Sequence, residues 1–558
     1  MSADHAAGTT APSFETAGPR GTVEPHHADL SDTGVVETGG FETGGFETPE
    51  ASQTAANSET AEASQNLEDL PQQLRIRRAK YDRLMADPDR APFPPVVERT
   101  HELAEIRDKY ADLAAGAGTG DVVGITGRVI FVRNTGRLCF ATLREGAVEL
   151  QVMLSAAQVG DEALTEWKAD VDLGDQVFVR GEVIASKRGE LSVLADYWRM
   201  TAKALRPLPV AHRSLSEENR VRQRYVDLIV RPEARRMVLL RADLLRSLRA
   251  TLHAEHYLEL ETPILQTVRG GAAARSFRTH LNAFDLDMTL RIALELPLKR
   301  AIVGGLGKVY EIGRNFRNEG VDSTHSPEFT MLEAYAAYGD YNTMAVLTRR
   351  LVRDAATNLG VADLHAADGT EIDLFADWRA VTVHASVSEA VDTAVTPDTD
   401  VTTLTTLAER HAVPLMPGWT AGEIVLELFE KLVEHTLIQP TFVRDYPVSV
   451  RPLARQHRDD PRLAEAWDLV VGGVEVGVAY SELADPVEQR RRLVEQSLAA
   501  AAGDVEAMEL DEDFLRALEH GMPPTGGLGM GVDRLLMLLS GRSVRETILF
   551  PLLKPLGG

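Results

Sequence analysis

Apolar and polar positions alternate with period two through residues 120–205, interrupted by turn residues at Asn134-Thr135-Gly136 and Arg188-Gly189. Such alternation turns one face of each strand inward, and about five short strands punctuated this way predict a small Greek-key barrel. Ahead of it, Leu74, Tyr81 and Met85 recur on one side of a segment whose other positions include Arg75, Arg77, Arg78, Lys80 and Arg83, which predicts a helix over 74–84. Pro92, Pro94 and Pro95 stop that pattern. A charge run of this kind is a solvated face or a surface for an anionic partner. Beyond residue 215 the periods mix: Arg231 to Glu255 reads as helix, Lys308 to Phe316 and Ala466 to Leu483 as strand, and 385–435 as helices after a Thr/Asp-rich loop. No regular strand-helix-strand rhythm appears, so an antiparallel sheet flanked by helices is expected, and the class is α+β.

Residues 1–66 follow no period. They are rich in Ala, Thr, Gly, Glu and Ser, repeat Glu-Thr-Gly-Gly-Phe at 37–41 and 42–46, and carry eleven acidic residues against Arg20 alone. A segment with so little apolar surface cannot offset the entropy of ordering, so a disordered acidic tail is predicted. Its net charge of −10 leaves −15 of the total −25 to the remaining residues. Nucleic-acid binding is not excluded by that acidity, because it needs a local basic surface rather than a basic whole. A single Cys139 excludes an intrachain disulfide or a Cys-rich zinc site and fits a reducing, cytosolic compartment. No apolar run of membrane-spanning length and no apolar signal core is present, so no membrane association is expected.

The densest chemistry lies in Arg314-Asn315-Phe316-Arg317-Asn318-Glu319-Gly320 and in His325-Ser326-Pro327-Glu328-Phe329-Thr330-Met331-Leu332-Glu333. Arg317 offers a planar fork that matches a phosphate or a carboxylate bidentately. Gly320 to Pro327 reads as a loop able to close over phosphates and carries His325. Strand alternation then puts Phe329 and Glu333 on one side, a stacking ring beside a carboxylate. Gly527, Gly529 and Gly531 make no phosphate-binding fingerprint, because no Lys-Ser/Thr follows them before a helix.

Taken in order, these segments resemble motif 2 of the class II aminoacyl-tRNA synthetases, and Gly526-Gly527-Leu528-Gly529-Met530-Gly531-Val532-Asp533-Arg534 resembles motif 3. Within subclass IIb, Gly270-Gly271-Ala272-Ala273-Ala274-Arg275-Ser276-Phe277 and Tyr480-Ser481-Glu482-Leu483 resemble the lysyl-tRNA synthetase family. Leu258-Glu259-Leu260-Glu261-Thr262-Pro263-Ile264 corresponds to motif 1, which in the family builds a homodimer interface. The likeness covers roughly residues 67–555. It implies an N-terminal helical segment over 67–118, an OB-fold anticodon-binding barrel over 119–210 and a class II antiparallel-sheet catalytic domain over 215–555, with a helical insertion at about 385–435.

The resemblance also implies roles. ATP, L-lysine and tRNA(Lys) would be the substrates, and lysine would be activated to its adenylate before transfer to the terminal adenosine of the tRNA. Arg317 and Arg534 would be the catalytic cations. Glu319, His325 and Phe329 would join them in binding ATP, with adenine between Phe329 and Arg534. Gly271, Glu295, Glu333, Tyr335 and Glu482 would hold lysine, its carboxylate reaching Arg317. Asp468 and Glu475 would bind Mg²⁺; seven positions apart on a strand they face opposite ways unless Gly472-Gly473 turns the chain between them. Phe140, Arg144 and Gln151 would meet the anticodon.

Several positions depart from the usual family residues. Val478 stands where an Asn is usual, Leu294 and Pro297 where Pro and Tyr flank Glu295, Ala484 for Asn, Arg451 for Ser and Asp468 for Glu. Two other readings are carried: a synthetase paralogue that activates lysine or a lysine-like amino acid for a non-translational acceptor, and a non-enzymatic RNA-binding module over 67–205.

Overall fold

The computed structural model describes residues 71–555 except 210–214, 323–324, 362, 367 and 502–506. The tail expected over 1–66 lies outside the described residues. Two compact units are distinguished, Met1–Arg75 and Ile76–Gly558. The described part of the first is the beginning of the helix Gln72–Met85. All that follows belongs to the second.

Strands β1 (Gly118–Thr135), β2 (Leu138–Glu145), β3 (Val148–Ser155), β4 (Gln176–Ala185) and β5 (Leu191–Ala202) close into a barrel in the order β1-β2-β3-β5-β4. The β3–β5 pair is parallel and the others are antiparallel. Closure leaves no unpaired edge. Alternation predicted from sequence is realised on β2, where Cys139, Ala141 and Leu143 are buried while Phe140, Thr142 and Arg144 are partly exposed. Gly181 permits the closest strand approach, since a Cβ there would stand 2.1 Å from the Leu194 carbonyl oxygen.

On the N-terminal helix, the packed face differs from the expected one. Met85 is exposed, whereas Leu84 and Arg77 are buried, and the Arg77 guanidinium donates to the Ala204 and Leu173 carbonyls at 2.8 Å each. Lys80 pairs with Asp172, and Arg83 with Asp170. A long cation can bury its stem and bond carbonyls with its head, so part of the basic stripe holds the barrel.

The second sheet has eight strands in the order β12-β13-β14-β15-β16-β11-β10-β6. These are β6 (Leu258–Glu259), β10 (Lys308–Phe316), β11 (Glu328–Ala337), β12 (Arg379–Thr382), β13 (Thr441–Pro447), β14 (Leu463–Val471), β15 (Val474–Ser481) and β16 (Thr525–Gly531). Only the edge strands β6 and β12 pair in parallel. A separate small sheet joins β7 (Leu265–Gln266), β8 (Arg278–Leu281) and β9 (Leu286–Leu290).

The long helices Pro232–Ala254 and Tyr341–Asn358 and the helix Val532–Ser540 share one apolar core with the large sheet. Leu244, Leu351 and Leu535 meet Leu332, Ala334, Leu528 and Met530 there. Because strand side chains alternate, the odd-numbered residues of β11 and β16 must point to the opposite face, away from the helices. The helices Val383–Val391, Val401–Arg410 and Ala421–Leu432 form another apolar cluster around Val387, Leu404 and Leu428, closed by Val443 and Tyr446 of β13.

Candidate active site

On the face opposite the helices, Phe329, Met331, Glu333 and Tyr335 of β11 line a cavity of about 400 Å³. Their neighbours on β16 are glycines: Gly531 lies across from Met331, Gly529 from Glu333 and Gly527 from Tyr335. A Cβ on Gly527 would sit 1.9 Å from Glu482 Oε1 and 2.6 Å from the Tyr335 ring. The glycine alternation of motif 3 is therefore a bare strand surface against which ring and carboxylates pack. Val478 and Tyr480 of β15 continue the same wall.

At one end the cavity is cationic. The Arg317 guanidinium lies 5.2 Å over the Phe329 ring and its Nε donates to the Ile292 carbonyl at 3.4 Å. Burial pulls its pKa below the usual guanidinium value, while Glu319, Glu475 and Glu333 pull it back up. Arg534 Nη1 donates to the Glu475 carbonyl at 3.0 Å and to its Oε1 at 3.1 Å, and Nη2 lies 3.4 Å from His325 Nε2. His325 is itself oriented by Asp322, 2.9 Å from its Nδ1. Glu319 Oε1 accepts from the Arg275 backbone N–H at 3.4 Å, tying the loop after β10 to the glycine-rich segment.

The other end is anionic. Glu333 accepts from the Leu294 N–H at 2.9 Å and from the Tyr335 hydroxyl at 3.0 Å. Burial, reinforced by the Glu295 carboxylate, pushes Glu333 up to about 7 against these donors and Arg317. Burial also pushes Glu482 up, opposed by Lys299 and assisted by Glu295 and Glu333. Gly271 joins this end with φ +88°, where an added Cβ would meet Ala293 and Glu295 at 3.2 and 3.4 Å. Pro297 causes no strain: it occupies the first turn of the helix Glu295–Val303, where backbone N–H groups have no intrahelical partner to lose.

Arg317, Glu319, His325, Phe329 and Arg534 thus line the same cavity as Gly271, Glu295, Glu333, Tyr335 and Glu482. The two residues expected to take a metal are placed differently. Gly472 and Gly473, both at positive φ, turn the chain between β14 and β15. Glu475 lines the cavity, whereas Asp468 is buried outside its wall with Oδ2 held at 2.6 Å by Arg451. Burial pushes Asp468 well above the usual carboxylate range, with Arg451 pulling it down and Glu475 pushing it up. The Tyr446 hydroxyl is a further hydrogen-bonding neighbour of this buried carboxylate.

On the barrel, Phe140 is half-exposed beneath the Arg133 guanidinium, 4.9 Å from its ring centroid, and Gln151 Nε2 donates to Ser192 Oγ at 2.8 Å. Arg144 instead pairs with Glu149 and donates to the Ile229 carbonyl at 3.2 Å. Its guanidinium bridges the barrel and the helix Arg224–Val230, an engagement that strand alternation could not have foretold.

Sequence reasoning missed three groups that build the site. Lys299 and Arg451 were not singled out as partners of Glu295, Glu482 and Asp468. The third is the Asp533 carboxylate, which accepts from Arg241 at 2.5 Å and from the Thr330 N–H at 2.7 Å, locking motif 3 to motif 2 and to the helix Pro232–Ala254. Asp533→Ala leaves a largely buried Arg241 without its carboxylate; the expected loss is about 3 kcal/mol, read as a lowered thermal unfolding midpoint.

Comparison with known proteins agrees with this architecture. Residues 119–201 match the OB-fold nucleic acid binding domain, and residues 216–554 match the tRNA synthetases class II (D, K and N). A lysine–tRNA ligase of Kineococcus radiotolerans is 56% identical over 494 residues, covering 88% of this chain and 99% of the relative. That of Mycolicibacterium gilvum is 57% identical over 491 residues, 87% of this chain and 98% of the relative. A lysylphosphatidylglycerol biosynthesis bifunctional protein LysX of Nocardia farcinica is 51% identical over 491 residues, 87% of this chain but 43% of that protein. An antiparallel sheet whose cavity face carries the motif 2 and motif 3 residues, preceded by a nucleic-acid-binding barrel, places this chain in the class II tRNA synthetase family of the D, K and N group.

Proposed function

We propose that the chain is a lysine–tRNA ligase, which activates L-lysine with ATP to lysyl-adenylate, releases pyrophosphate and transfers the lysyl group to the 3′-terminal adenosine of tRNA(Lys). The observation that carries this reading is one cavity with a cationic, aromatic end and an end bearing Glu295, Glu333 and Glu482. Attack of the lysine carboxylate on the α-phosphate needs positioned, charge-neutralising groups and no protein nucleophile. Arg317 holds both reacting anions, Arg534 and His325 the outer phosphates, Phe329 the adenine with Arg534, and Glu319 the exocyclic amine. Glu482 and Tyr335 read the side-chain ammonium; Glu295, Glu333 and the Gly271 carbonyl read the α-ammonium. Val478 offers no donor to the lysine carboxylate, which leaves that task to Arg317.

Mg²⁺ dependence belongs to the same reading. The cavity-lining Glu475 fits an ion held mainly by ATP phosphates and one or two carboxylates, and Asp468 would join it on turning from Arg451. When bound, the ion neutralises phosphate charge. Residues 67–118, 119–210 and 215–555, with the insertion at about 385–435, are the proposed divisions, with Phe140 and Gln151 on the anticodon side. Exposed Leu239, Leu258, Ile264 and Leu265 around motif 1 support a homodimer. Among the described residues no helix is long and apolar enough to cross a membrane; we place the enzyme in the cytoplasm.

Lysine-dependent ATP–pyrophosphate exchange, followed by aminoacylation of purified tRNA(Lys), tests the reading. Exchange driven by ornithine far better than by lysine, or by no amino acid, would refute it. The likeness to LysX favours one second reading, in which activated lysine serves a non-translational acceptor; exchange without tRNA charging would select it.

The pH dependence has a defined sign. Glu333 is pushed up to about 7, so below that pH a proton must be displaced before an ammonium binds. Lysine binding should strengthen as pH rises, and KM for lysine should increase roughly tenfold per unit on the acid side. Exchange kinetics from about pH 6 to about pH 8 measure this; a flat KM contradicts it.

A further inference from the structure

Lys299 has no solvent exposure and lies behind the anionic end of the cavity, against two of its wall carboxylates. It stands one turn after Glu295 on the helix Glu295–Val303, and its ammonium is 2.5 Å from Glu295 Oε1 and 2.5 Å from Glu482 Oε2. Glu295, Glu333, Tyr335 and Glu482 form the wall, and Lys299 reaches two of those carboxylates from behind it. A fully buried ammonium is costly unless paired. Burial would favour the neutral amine, but Glu295 and Glu482 outweigh it and hold Lys299 above the usual lysine value, so the charge is present.

With all three carboxylates ionised, the form that bound ammonium groups favour, Lys299 leaves two negative charges at this end of the cavity. That residue of charge equals what an amino acid with two ammonium groups supplies. Lys299 also ties Glu295, assigned to the α-ammonium, to Glu482, assigned to the side-chain ammonium, and so constrains the separation of the two recognition points. Gly527 presses on Glu482 from the other side, where no Cβ fits. The remaining charged and titratable neighbours are Glu333 and Tyr335 on β11, Tyr480 on β15 and Arg317 toward the phosphate end.

Resting on the lysine reading above, we propose that Lys299 is a positioning and specificity-determining residue: it reduces the charge of the amino-acid pocket to that of a diamine's counterpart and sets the distance between the two carboxylates that receive the amines. It touches no substrate atom and acts through Glu295 and Glu482. Without it, two buried carboxylates repel, one takes up a proton, and their spacing is lost.

The test is exchange kinetics with lysine and ornithine on Lys299→Met, which keeps the side-chain length and removes the charge, and on Lys299→Arg, which keeps the charge and changes the spacing. Lys299→Met is expected to raise KM for lysine about 100-fold with KM for ATP changed less than about threefold, and to move the acid limb of the lysine profile upward by about one pH unit. Lys299→Arg is expected to keep the wild-type acid limb while the lysine-to-ornithine preference contracts by about tenfold or more. An unchanged lysine KM and pH profile in a folded Lys299→Met would overturn the proposal. If that variant does not fold, Lys299→Arg decides alone: wild-type discrimination in it overturns the spacing role. Wild-type enzyme without lysine-dependent exchange would instead overturn the lysine reading itself.

Discussion

Arg317→Ala should lower lysine-dependent ATP–pyrophosphate exchange by roughly 10³-fold or more, with the thermal midpoint and tRNA binding retained. The magnitude follows from position. Arg317 leaves β10 where the cationic and anionic ends of the cavity meet, stacked on Phe329 and within the influence of Glu319, Glu333 and Glu475. Two anions, a carboxylate and an α-phosphate, must approach each other there. A fork of donors fixed by a stacked ring neutralises both at once in a water-poor site. Arg317→Lys should recover less than about a tenth of the activity, because a point charge cannot reproduce two parallel bonds or the stacking. Full exchange activity in Arg317→Ala would remove the role assigned to this residue.

Norleucine, which has lysine's chain length without its distal ammonium, should be activated with a kcat/KM about 10⁴-fold below that of lysine. An apolar pocket distinguishes ligands by tens to hundreds, because only a few contacts differ. Here the penalty comes from the protein. Glu482 is 3% exposed, and the cation set against it is Lys299, 2.5 Å from Oε2 and shared with Glu295. A ligand without the ammonium would seal this carboxylate away from water with only an ammonium it shares with Glu295 against it, leaving its other lone pairs unmatched. Competitive exchange assays with both amino acids measure the ratio. Discrimination of only tens-fold would mean that water still reaches Glu482 in the complex.

The pieces that were readable along the chain share a physical origin in local periodicity. Alternation over 120–205 located the barrel, and alternation put the Phe329 ring and the Glu333 carboxylate on one side of β11. The glycines at 527, 529 and 531 were identified only through their resemblance to motif 3, because their use depends on β11 lying alongside, where Gly529 faces Glu333 and Gly527 faces Tyr335. Val478 could be noticed as a departure, but its place on the cavity wall across from Gly529 follows from sheet order.

Ion pairs were the least legible part. Lys299 reads locally as one more cation on an amphipathic helix, and Arg451 as an isolated Arg between prolines and valines. Arg241 and Asp533, 292 positions apart, show nothing in sequence that joins them. Arg77 and Met85 exchange the buried and exposed roles that helical spacing alone would assign, because the barrel supplies carbonyls and acids that reward a buried cation.

The residues themselves determined which side chains could alternate, which strands could form, and which chemical groups the chain had to offer. Tertiary structure alone decided which charges meet. Period and propensity act over a few residues, whereas a buried carboxylate's partner and protonation depend on whatever distant segment the fold brings within a few ångströms of it.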